Sequence, residues 1–119
     1  DHRAIAGFSR GGGQAPRCGL GNFDKFSHII SYSSYMGTEE FEKNYKSLYE
    51  DPSRTNKMMK LYWLGVDKAD FLYGGATEFM NLMDKYGIET VKVETEGFRG
   101  HTWMAVKHFL NLTLPLLFK

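Results

Sequence analysis

Near the middle of the chain, Lys60-Leu61-Tyr62-Trp63-Leu64-Gly65 is a nearly continuous apolar run, the pattern of a strand buried on both faces of a parallel sheet. Such a strand needs helices above and below it, and the rest of the chain supplies the other layers. Three more strand-like runs are present: Arg3 to Gly7, His28-Ile29-Ile30-Ser31-Tyr32, and the alternating, β-branched Thr90-Val91-Lys92-Val93-Glu94, which suits a half-exposed edge. Ala76, Phe79, Met80 and Met83 recur at helical spacing, with Gly87 as a C-terminal cap and the methionines as core filler. Trp103, Val106, Phe109 and Leu110 repeat the pattern in a closing helix, and the apolar tail 109–118 reads as its buried extension. Strands alternating with helices predict an α/β fold of about four parallel strands flanked by helices, in one domain. A helix is expected over Thr38 to Tyr49, ended by Asp51-Pro52, inside a polar segment 38–57 that is the natural candidate for a lid or substrate-facing wall.

Composition removes several function classes. With 42% hydrophobic and 15% aromatic residues in 119, the chain folds around a core and is not disordered. A net charge of +1 argues against nucleic acid as a partner, and Arg54, Lys57 and Lys60 form only a sparse, solvated group. No apolar run approaches the ~20 residues that cross a bilayer, so no membrane partner is expected. Cys18 stands alone, which excludes an intrachain disulfide and a cysteine-based metal site. The histidines lack the spacing of a zinc helix, and no metal or other cofactor is expected.

The chemistry concentrates at Gly7-Phe8-Ser9-Arg10-Gly11. An apolar strand leads in, and the small residues Gly12-Gly13-Gln14-Ala15 lead out toward a helix. That is the strand, turn and helix setting of a nucleophile elbow, in which small residues two before and two after the serine permit a strained backbone. Pro16 is expected to interrupt the following helix early. The motif alone is weak in a chain with 13 glycines. Its weight comes from an acid and a histidine that follow in the order such a site requires, each just beyond a later strand. Asp70 follows the third strand and His101 the fourth, so all three lie at carboxyl ends of parallel strands, where open α/β sheets place their sites. Asp67 competes with Asp70 for the acid, because loop length does not choose between them. His2, His28 and His108 read as structural or solvated.

In combination, Arg3-Ala4-Ile5-Ala6-Gly7-Phe8-Ser9-Arg10-Gly11-Gly12-Gly13-Gln14, Ala69-Asp70-Phe71-Leu72-Tyr73, Gly100-His101-Thr102-Trp103 and Pro115-Leu116-Leu117-Phe118-Lys119 resemble the carboxyl-terminal half of the esterases related to feruloyl esterases and to the esterase modules of xylanases. The resemblance implies an α/β-hydrolase fold, a secreted or periplasmic setting in many members, and hydrolysis of acyl or feruloyl esters on plant-type polysaccharides. By position it puts the nucleophile on Ser9, the acid on Asp70 and the base on His101. Arg10 stands where many relatives have an apolar residue, and its bulk and charge would alter the acyl pocket.

The same resemblance implies further strands before the elbow, for which the chain has no sequence. An open edge on the first strand is therefore expected to favour self-association or a complementary amino-terminal chain. An oxyanion hole would take one donor from the backbone N–H of Arg10 and a second from an earlier loop, also without sequence here. Two other readings stay open: a non-catalytic relative that holds a sugar or phenolic ring with Trp103 and Tyr35, and an acyltransferase that uses the same triad.

Overall fold

The computed structural model describes residues 3–22, 25–98 and 100–117, with residues 10–12 described in their backbone alone. His2, the side chain of Arg10 and the terminal Phe118-Lys119 lie outside the described residues. Four strands, β1 (Ala4–Phe8), β2 (His28–Tyr32), β3 (Leu61–Asp67) and β4 (Val91–Thr95), form one sheet in the order β1-β2-β3-β4, and every neighbouring pair is parallel. The fold is therefore α/β. β1 is displaced one residue from the expected run, and β3 extends two residues further to take in Val66 and Asp67.

Alternation along β2 and β3 divides the core. Ile29, Tyr62, Leu64 and Val66 face a cluster with Leu20, Phe41, Leu48, Ala76, Phe79, Met80 and Met83, whereas Ile30, Tyr32 and Trp63 face Ala105, Val106 and Phe109. The first face is covered by α1 (Arg10–Leu20), α2 (Thr38–Asn44), α3 (Lys46–Glu50), α4 (Pro52–Met58) and α5 (Tyr73–Lys85), and the second by α6 (Trp103–Thr113). α5 ends as its sequence predicts. Gly87 takes φ +73, its N–H bonds Asp84 O at 3.1 Å, and Ile88 N–H bonds Met83 O at 2.9 Å, which closes the helix in a Schellman motif.

Several expectations are corrected. α1 runs through Pro16 to Leu20. The proline removes one hydrogen bond, and the residue four before it, against whose carbonyl its ring would press, is Gly12 in a run of three glycines whose backbone can yield. The helix expected over Thr38 to Tyr49 is broken at Tyr45 (φ −123), and Asp51 does more than end it: its carboxylate accepts the Arg54 N–H at 3.2 Å and caps α4, with Pro52 in the first turn.

Nor is segment 38–57 a lid. It is the crossover between β2 and β3, with Phe41 fully buried against Tyr45, Tyr49, Phe79 and Tyr86. The tail is not a buried extension either. α6 buries only Ala105, Val106, Phe109 and Thr113, while Trp103, Leu110, Leu112, Leu114 and Leu116 are exposed. One helix over a single face of the sheet has only one side to bury, so apolar residues elsewhere around its circumference meet solvent.

Phe41→Ala separates the crossover from a lid. Removing a fully buried ring is expected to cost about 3–5 kcal/mol in denaturant unfolding, whereas a detachable lid would leave the global transition unmoved.

Candidate active site

Because the strands are parallel, their carboxyl ends share one rim. β1 delivers Ser9 there directly. Phe8 pairs with Tyr32, and Ser9 N–H then bonds Tyr32 O at 3.1 Å, after which the chain turns at once into α1, whose first i to i−4 bond is Gly13 N–H to Ser9 O at 3.1 Å. This abrupt reversal puts Ser9 at φ 56, ψ −116, a conformation that costs a residue with a Cβ about 1–3 kcal/mol. Strand, strained serine and helix thus meet as the motif requires. The N–H groups of Arg10, Gly11 and Gly12 occupy the first turn of α1, where no intrahelical acceptor exists and the helix dipole favours negative charge.

The other two residues come to Ser9 from the ends of β3 and β4. Ser9 Oγ lies 2.9 Å from His101 Nε2, and His101 Nδ1 lies 2.8 Å from Asp70 Oδ2. With the carboxylate as acceptor, Nδ1 carries the ring proton and Nε2 is free to accept from the serine hydroxyl. Asp70 is held in turn. Its Oδ1 accepts Leu72 N–H at 2.8 Å, and its own N–H bonds Asp67 O at 2.9 Å. The His101 side chain is partly open to solvent, and that of Asp70 is fully covered. Thr102, which follows the histidine, donates to Phe98 O at 2.6 Å and caps α6 by accepting the Ala105 N–H at 3.3 Å.

Geometry decides between the two acids. Asp67 is fully buried at the end of β3, and its carboxylate bonds other groups. Oδ1 accepts Thr95 Oγ1–H at 2.8 Å, and Oδ2 accepts Gly100 N–H at 2.8 Å and Ala69 N–H at 3.2 Å. Burial pushes this carboxyl up, but the hydrogen bonds from Thr95, Gly100 and Ala69, aided by the nearby Phe98 backbone, outweigh it and hold the group below its ordinary value.

Aromatic rings surround the histidine. Phe8 stacks on it at 4.8 Å and Phe71 approaches at 5.0 Å, while Trp103 stands 5.5 Å from Phe8. Phe71 and Trp103 are 79% and 72% exposed, the highest values among the large apolar side chains of the described residues. Two solvent-facing rings beside a hydrogen-bonded serine can hold a flat or apolar group over it. Tyr35 leaves the same rim on the loop after β2, but its ring packs on Gly75, where a methyl group would stand only 2.2 Å from it. His28 and His108 serve packing: His28 is buried beside Ser27, and His108 stacks on Phe98 at 4.4 Å.

Two features of the site escape a sequence reading focused on the triad. Phe71 is one: a large aromatic residue directly after the acid, in the turn that leaves a buried strand, is a legible signal. Ser33 is the other, left-handed at φ 54, buried beside the end of β1, with a hydroxyl that has no hydrogen-bond partner among the described residues. A groove of about 630 Å³ elsewhere, lined by Tyr73, Thr77, Met80, Asn81, Lys92 and Glu94, includes no triad residue. No protein-family model matches this chain.

The Asp67 cluster carries a pH signature. Its folded carboxyl lies below the unfolded value of about 3.9, so the ionised form contributes fully above that value and its contribution is lost as pH falls through the folded one. The Tm difference between wild type and Asp67→Asn is expected to hold from neutral pH down to about pH 4 and to shrink below it. A difference independent of pH would contradict this.

Proposed function

We propose that the chain is a serine carboxylesterase of the α/β-hydrolase kind, or the triad-bearing part of one, that hydrolyses acyl or feruloyl esters on plant-type polysaccharides. The observation that carries this reading is the unbroken chain of hydrogen bonds from Ser9 Oγ through both nitrogens of His101 to Asp70 Oδ2. Sequence resemblance supports the acyl and carbohydrate classes.

In this reading Ser9 Oγ attacks the ester carbonyl carbon while its proton passes to His101 Nε2. The carbonyl oxygen becomes an oxyanion, which the backbone N–H of Arg10 faces at the start of α1. Asp70 steadies the imidazolium through Nδ1–H and remains a carboxylate. The intermediate collapses, the C–O bond to the leaving alcohol breaks, and His101 returns the proton to that alcohol, leaving Ser9 acylated. Water then repeats the sequence: His101 takes its proton, the hydroxyl joins the acyl carbon, and the acid leaves as Ser9 is reprotonated. Phe71 and Trp103 supply apolar faces beside the reacting centre.

An acyltransferase would follow the same steps with a sugar alcohol in place of water. A non-catalytic sugar-binding relative would use the aromatic faces alone. Hydrolysis of nitrophenyl acetate separates these readings. Wild type is expected to exceed Ser9→Ala by at least about 10³-fold in kcat/KM. Equal rates would defeat both catalytic readings, and transfer of acetate to an added sugar in preference to water would favour the transferase.

A further inference from the structure

Asp67 takes no part in the Ser9–His101–Asp70 chain, yet its carboxylate touches both segments on which that chain depends. Ala69 N–H, one of its donors, belongs to the turn that presents Asp70. Gly100 N–H, another, immediately precedes His101. The third donor, Thr95 Oγ1–H, ends the strand from which the histidine loop departs. A backbone bond, Lys68 N–H to Thr95 O at 2.8 Å, ties the same two segments.

Where these segments meet, main chain lies on main chain. Gly100 has φ +76, and a Cβ there would stand 2.7 Å from Ala69 O and 3.0 Å from Asp70 N, so the histidine loop docks directly on the acid turn with no side chain between them. Such a contact has no packing of its own to hold it in register. Three donors from three places converge on one carboxylate, and a carboxylate is suited to that task because both oxygens only accept. An amide of the same shape keeps these bonds only if its NH₂ faces Thr95 and that hydroxyl reverses to accept, and it gives up the negative charge that strengthens each of them.

We propose that Asp67 is a positioning residue that clamps the His101 loop to the Asp70 turn and thereby sets the His101–Asp70 hydrogen bond and the tautomer of the imidazole. Its kinetic consequence rests on the esterase reading, whereas its effect on the ring does not. Loss of the clamp lets the imidazole shift relative to its acid, and a displacement of about 1 Å is enough to cost about 10²-fold in rate.

The test compares wild type, Asp67→Asn, Thr95→Val and the conservative Thr95→Ser in the full chain. Ring nitrogen chemical shifts of His101, recorded where the imidazole is neutral, report which nitrogen carries the proton without any turnover. Wild type and Thr95→Ser are expected to hold the proton on Nδ1. Asp67→Asn and Thr95→Val should show a mixture with the Nε2–H form while retaining a cooperative melt, and Asp67→Asn should lower kcat for nitrophenyl acetate about 10²-fold with KM little changed. Wild-type ring shifts in a folded Asp67→Asn variant overturn the proposal, and if that variant does not fold, wild-type shifts in Thr95→Val overturn it. Should the ring respond as expected while even the wild type hydrolyses no ester, the positioning role stands and the esterase reading falls.

Discussion

Four strands that run in the same direction and in chain order impose a single constraint: every loop leaving a carboxyl end emerges on one rim of the sheet. Ser9 follows β1, Ser33 follows β2, Asp67 ends β3 and Asp70 follows it, and Gly100 and His101 follow β4. Residues 92 positions apart in sequence, Ser9 and His101, therefore come within 2.9 Å. The register that pairs Phe8 with Tyr32 and Asp67 with Thr95 sets the height of each loop. A slip of one residue would turn every alternating side chain to the opposite face, so the buried pattern of β2 and β3 protects the site as well as the core.

The core and the site divide the work between them. Rigid elements end in short, strained or tightly bonded turns, and Ser9, Asp70 and His101 stand on those turns. Ser9 is held in an unfavourable conformation by β1 and α1. His101 is confined between Gly100, which lies against the acid turn, and Thr102, which caps α6. Strain is tolerated where the surrounding structure over-determines it, and such positions gather at sites that do chemistry.

Much of this is legible in the sequence because the signals are local. The apolar run at 60–65, the alternation at 90–94, the helical spacing of Phe79 and Met83 and the cap at Gly87 each depend on neighbours a few residues away. Ser9, Asp70 and His101 are legible as well, through their order and their places after strands. What escapes is long-range. Trp103 and Leu110 share helical spacing with Val106 and Phe109, yet only a three-dimensional arrangement with a single covered face exposes the first two. Pro16 looks like a helix breaker until the glycines preceding it are given room to yield. Asp67 and Asp70 are equivalent by loop length, and only the convergence of Thr95, Ala69 and Gly100 on one of them assigns their different tasks.

The central claim is that His101 activates Ser9 as a nucleophile, and labelling by a fluorophosphonate tests it most directly because the reagent reacts with an activated serine and requires no knowledge of the natural ester. Peptide mass mapping of the labelled wild type is expected to place the adduct on Ser9, with labelling of His101→Ala slowed by at least about 10³-fold. An unlabelled wild-type chain, or one that labels as fast without His101 as with it, would contradict the account.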